Sequence, residues 1–476
     1  PTTVGYITRL DQQLTDMGYK PPLQITQCAG GTISVNKARE APLLTLDSGP
    51  VSGVTGSLYL GGLMGYPNVI TTDLGGTSFD VGVIHEGRPV VSYRSIVHQY
   101  EYFLPKVDVQ TLGTGGGSKV WIDKTTRSLR VGPDSAGADP GPVCYGRGGT
   151  VPTTTDADLV LGYLDPDNFA GGSMQLDRDA AAAALQLLAD ELDMSLLELA
   201  SGVAQIAEFQ MADLIRKVTV QKGLDPREFV VFAFGGAGPV HMGVAARELG
   251  VQKVIVPQGD TAAVWCAFGA ASADILHVNE QVNIMSSPFD LGKVNALLDE
   301  LTERGRAELV ADGVDPKLHT FSLSLDMRHR GQINEVEVDL DEGRLTDGDI
   351  DGLRARFVER YERLYGRGAA LPGARLEIVT FRCRSSAISR KPQLTETTDL
   401  TSEIDPGAQS GTRDIYWAET KAQSATPIYD GYKLRPGNAV AGPCVVETTT
   451  TSMVIHPGQS VEVDALGNFV IDPNVA

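Results

Sequence analysis

The chain is poor in cysteine, in aromatic residues and in positive charge, and it has no long apolar run. Cys28, Cys144, Cys266, Cys383 and Cys444 stand singly among 476 residues. An odd count without a CxxC pair excludes a disulfide framework and a zinc ribbon, and it suits a reducing cytoplasm. No stretch reaches the roughly 18 apolar residues of a membrane-spanning helix. Pro1-Thr2-Thr3 offers neither an initiator Met nor the start of a signal segment, so the chain is expected to begin inside a longer protein or after processing. Against 60 Asp+Glu there are only 40 Lys+Arg, a net charge of −20. So acidic a chain lacks the basic face that grips nucleic acid or an anionic membrane.

What the chain has in excess is glycine, 53 residues gathered in short knots. Its length suffices for two to four domains at about 100–200 residues each. Residues 3–18 have helical apolar spacing, 23–26 read as a short strand, and 51–65 as a small-residue helix packed closely on a sheet. Residues 68–73 and 79–84 read as two strands about a glycine turn, a β-hairpin. Residues 130–152, with six glycines and four prolines, read as a long loop. Residues 177–222 are helical. Within them Leu199, Val203, Ile206, Phe209, Met211, Leu214 and Val218 form the expected inward stripe. An apolar strand at 229–234, a glycine turn, a helix at 241–249 and a strand at 254–257 give α/β organisation. The texture changes near Asn279. Residues 279–390 read as a small α+β unit, 391–411 as a polar linker, and 412–476 as a β-rich domain with Pro-Gly and Gly-Asn turns.

Three glycine knots could carry chemistry. In Asp73-Leu74-Gly75-Gly76-Thr77-Ser78-Phe79-Asp80 a strand delivers an Asp, two glycines reverse the chain, and hydroxyls follow. Without Cβ atoms the glycine amides can face phosphate oxygens, and Asp73 can hold a Mg²⁺ ion through water or orient a nucleophile; a plain hairpin turn is the alternative. Gly235-Gly236-Ala237-Gly238-Pro239 lies between a strand and a helix, where free amides favour an anion; close strand–helix packing is the plain alternative. The third knot, at 113–118 and containing Gly115 and Gly116, could cover phosphates or serve as a hinge; a flexible linker fits it equally well. His241 sits just inside the following helix, where packing competes with a catalytic role. Asp156 and Asp158 could cap a helix, with a site role left open for Asp156. Cys266, in an apolar run, reads as core rather than nucleophile, because nothing nearby in sequence would lower its pKa.

These residues resemble the hydantoinase A/oxoprolinase family. The resemblance runs through Ser48-Gly49-Pro50 with Gly53 and Gly56, then residues 73–80, 112–118, 130–149, 155–165 and 234–241. It continues through Arg330-Gly331-Gln332, residues 442–449 and Pro457-Gly458, and covers the chain from Pro1 to about Asp472. It implies an α/β fold of the actin and sugar-kinase ATPase type for residues 1–278. It also implies ATP with Mg²⁺ or Mn²⁺, and a partner subunit of the hydantoinase B type. On this likeness Asp73, Gly75, Gly76, Thr77, Ser78 and Asp80 fall on a phosphate loop, with Asp73 toward the metal. Gly235, Gly236, Ala237, Gly238 and Pro239 fall on the adenosine-side turn. Family members normally carry a further Asp-x-Gly-Gly-Thr loop roughly two hundred residues earlier. Here the motif occurs once, so one half of the ATPase fold is expected to be a separate chain, cleaved, or left out.

The family uses ATP either to carboxylate a ketone or to open a cyclic amide. Both are phosphoryl transfers, needing positioning and charge neutralisation more than covalent protein chemistry. Residues 161–178, 267–271 and 330–335 resemble acetone and acetophenone carboxylase subunits. Residues 112–118 and 136–142 resemble the hydantoinase and oxoprolinase branch. The expectation is an ATP-binding subunit of a ketone carboxylase. A cyclic amide hydrolase stands second, and a non-catalytic structural subunit third.

Overall fold

In the computed structural model, which describes residues 2–474 apart from Pro21, Arg94, His98, Glu342, Gly343 and Pro372, the apolar run before the first glycine turn is strand β1 (Val69–Leu74). The run after it is β2 (Phe79–His85). The two pair antiparallel, with Asp73 opposite Asp80 and Leu74 opposite Phe79. A short strand, β3 (Gln110–Leu112), continues the sheet beyond β2. Helices α1 (Thr154–Leu161) and α2 (Leu196–Val220) follow, then β4 (Val230–Phe234), α3 (Gly238–Leu249) and β5 (Val254–Val256). β4 lies parallel to β1, and β5 parallel to β4. Val230-Val231-Phe232-Ala233-Phe234 is buried throughout, the pattern of a strand covered on both faces.

The sheet does not end there. Strands β6 (Ala439–Ala441), β7 (Ser460–Val463) and β8 (Phe469–Asp472) extend it in the order β3-β2-β1-β4-β5-β8-β7-β6. These strands belong to a compact unit of residues 53–90, 108–269 and 392–476. Within it, small residues permit close approach. A Cβ on Gly82 would stand 2.5 Å from a Val54 methyl, and one on Gly53 would stand 2.8 Å from the Phe234 ring. Residues 128–135, read above as part of a loop, form a strand paired with Ser118–Asp123. In α2 the expected stripe is buried at Leu199, Val203, Met211 and Val218 but not at Phe209. Phe209 is 46% exposed, and the buried row runs through Ala200, Ala204, Ala207, Glu208, Met211 and Ile215.

The second unit comprises residues 1–52, 91–107 and 270–391. Its six-stranded sheet takes the order Gln24–Thr26, Thr32–Ser34, Ile275–Ser286, Leu376–Ala387, His319–His329, Val336–Leu340. The strand Ile275–Ser286 runs unbroken through Asn279, where the sequence suggested a boundary. Val294 and Leu298 of the helix Leu291–Ala311, and Leu353 and Phe357 of the helix Ile350–Tyr365, share one core with Leu325 and Phe381 of the sheet. The sheet also carries a buried charge network. Arg382, 1% exposed, forks onto Asp326 at 2.9 and 2.7 Å, and its guanidinium lies 3.8 Å above the Tyr93 ring. Among the described residues no helix is long and apolar enough to cross a membrane, and all five cysteines are free.

Candidate functional site

The three glycine knots meet. Parallel pairing of β1 with β4 sets Phe234 beside Asp73, so the turns that follow both strands open at the same sheet edge. A Cβ on Gly235 would lie 2.5 Å from Asp73 Oδ1, and Gly235 has φ +78°; the position demands glycine on both counts. The Ala237 amide donates to the Leu74 carbonyl at 3.1 Å. From the other side the Gly116 and Gly117 amides donate to the Gly75 and Gly76 carbonyls at 3.0 and 2.7 Å. A Cβ on Gly115 would stand 2.7 Å from the Thr77 nitrogen.

The knots have different standings in this cradle. Gly76, Thr77 and Gly236 are exposed, and nothing lies within 4 Å of where a Cβ on Gly75 or Gly76 would be. Among the described residues the Gly76 and Thr77 amides donate to no backbone group outside the strands. Gly115 and Gly116 are buried beneath the turn; they support it rather than face solvent. Asp80 braces the same turn, accepting from the Ser78 and Thr111 hydroxyls. Gly238 and Pro239 are buried in the first turn of α3.

Asp73 is the charged group at the cradle. Burial pushes its carboxyl above the ordinary carboxylate range; a hydrogen bond from Cys266 works against this, and neighbouring Asp80 works with it. The Cys266 Sγ lies 3.2 Å from Asp73 Oδ2. Burial, and then the Asp73 charge, push this thiol well up, so it is a protonated donor and not a nucleophile. The contact joins residues 193 apart in sequence, which is why no local signal pointed to it.

Asp156 and His241 lie elsewhere. Asp156 is fully buried in the first turn of α1. Its oxygens accept from the Thr153 amide (2.8 Å) and hydroxyl (2.9 Å) and from the Val143 and Cys144 amides (3.1 and 2.7 Å). Four donors and complete burial give this carboxylate the work of a capping box and a loop clasp. His241, 0% exposed, stands between two carboxylates: Nδ1 is 3.3 Å from Glu208 Oε1 of α2, and Nε2 is 3.2 Å from Asp158 Oδ2 of α1. Burial disfavours the imidazolium, but the two carboxylates outweigh it and push the pKa up to about 10. The ring is thus a charged tie among three helices and touches no solvent. Glu208, its partner, was missed in sequence because a lone carboxylate beside an apolar stripe gives no signal.

Residues 1–279 match the family model described as Hydantoinase/oxoprolinase. The chain belongs to the hydantoinase/oxoprolinase family. Residues 290–470 match the family's C-terminal domain. Among curated relatives, the caprolactamase subunit alpha of Pseudomonas jessenii is 34% identical over 99% of this chain and 68% of its own length. The acetophenone carboxylase gamma subunit of Aromatoleum aromaticum is 34% identical over 97% of this chain and 63% of its own. A crystal structure of the ATP-dependent caprolactamase superposes with a TM-score of 0.89, at 34% identity over 99% of this chain and 68% of that one. A nucleotide-free acetone carboxylase structure does so at 0.81, with 32% identity over 98% and 66%. This chain therefore spans about two thirds of the length of these relatives.

Proposed function

We propose that the chain is an ATP-binding subunit of a carbonyl-activating enzyme, and that the cradle around Asp73 holds the nucleotide's phosphates. The observation that carries this reading is the convergence of the 75–77 and 235–238 turns on one carboxylate, with open space where a Cβ on Gly75 or Gly76 would stand. Anion recognition by such amides needs no side chain, only their free approach. The sheet supports one half of an ATPase fold of the actin and sugar-kinase type. A hairpin pair lies on one side of β1, parallel strands lie on the other, and a glycine turn ends both β1 and β4.

A bound nucleotide would supply the phosphoryl group. In this chain the Gly76 and Thr77 amides would face phosphate oxygens, the Thr77 and Ser78 hydroxyls would add donors, and the N-terminus of α3 would add its partial positive charge. Among the described residues no three His, Cys, Asp or Glu side chains gather into a metal cluster. The donor set fits Mg²⁺ or Mn²⁺ held by Asp73 with water and phosphate making up the shell, as Mg²⁺ usually is. Asp156 and His241 keep the helices behind the cradle in place.

The resemblance in residues 161–178, 267–271 and 330–335 favours ketone carboxylation, in which an enol or bicarbonate oxygen accepts the phosphoryl group. The likeness to caprolactamase, TM-score 0.89, favours the second reading, in which a cyclic amide oxygen accepts it. The subunit designations of the relatives support partner chains, a hydantoinase B-type subunit among them. The test is ATP hydrolysis by the native complex with acetone or acetophenone, against 5-oxoproline, a hydantoin or a lactam. Ketone-stimulated turnover that vanishes without bicarbonate is the expected result; stimulation by the cyclic amide without bicarbonate moves the chain to the second reading. Asp73→Ala abolishes ATP turnover while leaving assembly intact; retained turnover would refute the role given to Asp73.

A further inference from the structure

We propose that Cys266 is a positioning residue, whose thiol donates a hydrogen bond to the Asp73 carboxylate and fixes its orientation at the glycine cradle. The inference rests on the reading that Asp73 serves a phosphate and metal site. It adds a residue to that site from a distant segment of the chain.

Two devices act on the two carboxylate oxygens. The Cys266 thiol lies 3.2 Å from Oδ2, and the bare Cα of Gly235 leaves room for Oδ1, where a Cβ would stand 2.5 Å away. The thiol's place is set independently of Asp73. Cys266 is the second residue of the helix Trp265–Ser272. The preceding Trp265 is buried, stacks on Phe268 at 4.5 Å and donates from its indole to the Ser57 hydroxyl at 3.0 Å. Opposite, Gly53 spares the space: a Cβ there would stand 3.2 Å from Sγ. The turn leading into this helix also takes the Gly235 amide, at 2.9 Å, on the Ala262 carbonyl. One segment thus sets both neighbours of the Asp73 carboxylate.

The chemistry suits a fixed donor. A thiol 3.2 Å from a carboxylate oxygen can only donate to it, since that oxygen carries no hydrogen of its own when ionised. Removing the donor strands a partly buried carboxylate oxygen, a loss of the order of a hydrogen bond to a charged group. Serine would keep a donor of nearly the same size.

The first test is the S–H stretching band, isolated as the difference between infrared spectra of wild type and Cys266→Ala in the native complex. The expected band lies at lower frequency than the other thiols and moves up in Asp73→Ala. A band that does not respond to Asp73→Ala overturns the proposal, whatever Asp73 does. The second test is MgADP affinity. Cys266→Ala is expected to weaken it about tenfold or more, and Cys266→Ser to restore it to within about threefold of wild type. Equal affinities in wild type and Cys266→Ala, with Asp73→Ala still impaired, overturn the positioning role alone. Unimpaired binding in Asp73→Ala overturns the phosphate-site reading itself, and the positioning role with it.

Discussion

Replacing His241 by glutamine removes one positive charge from between two carboxylates and changes little else in volume. The ring is 0% exposed, with Asp158 and Glu208 at 3.2 and 3.3 Å. Stripping a buried carboxylate of its partner costs about 3–5 kcal/mol, so His241→Gln should lower stability by roughly that amount near pH 6. The pH dependence has a definite sign. The folded imidazolium has its pKa raised from 6.5 to about 10. Its stabilisation is therefore whole below the unfolded value of about 6.5 and fades as pH rises through about 10. Thermal unfolding of wild type and variant, followed by circular dichroism at pH 6 and pH 9, should give a wide gap in Tm at pH 6 and a narrower one at pH 9. A gap below about 1 kcal/mol at pH 6, or one that widens with pH, would refute the charged tie. It would leave His241 as a neutral, packed ring.

Asp156→Ala strands three buried donors and one half-buried one, and denaturant unfolding should register a loss of at least about 3 kcal/mol; a loss under about 1 kcal/mol would contradict the clasp. Gly235→Ala must place a Cβ at φ +78° against Asp73 Oδ1, and strain of about 1–3 kcal/mol together with the clash should lower Tm measurably. In the other unit, Arg382→Leu leaves Asp326, Glu280 and Glu337 without their shared guanidinium. Urea titration should show a loss of about 3–5 kcal/mol, while MgADP binding at the cradle is unchanged.

The hairpin around Gly75 and the strand–turn–helix around Gly235 were legible because each is local: an apolar run, a glycine break, a second run. Of the two carboxylates read as possible caps, Asp156 does cap, from the N3 position of a box with Thr153, whereas Asp158 lies within the helix and faces His241. The meeting of the knots was not legible. It depends on β1 pairing with β4 across some 160 residues, as Phe234 opposite Asp73, and no periodicity records which strands will be neighbours. The C-terminal strands were hidden likewise. Phe469–Asp472 reads as one more short β segment, yet it pairs antiparallel with Val254–Val256 in the large sheet. In α2 the expected stripe holds at Leu199, Val203, Met211 and Val218 and fails at Phe209, which is 46% exposed. The neighbouring Glu208 is buried instead, and a lone carboxylate beside an apolar stripe gives no signal that it faces His241.

The measurement that bears most directly on the phosphate cradle is MgADP titration calorimetry on the native complex carrying Gly76→Ala. A Cβ at Gly76 meets nothing within 4 Å in the protein, so the fold and its Tm should be unchanged. The added methyl would stand where a phosphate must approach. The account predicts wild-type stability with MgADP affinity reduced at least tenfold, about 1.4 kcal/mol. Wild-type affinity in a variant of wild-type stability would contradict it and put the nucleotide elsewhere.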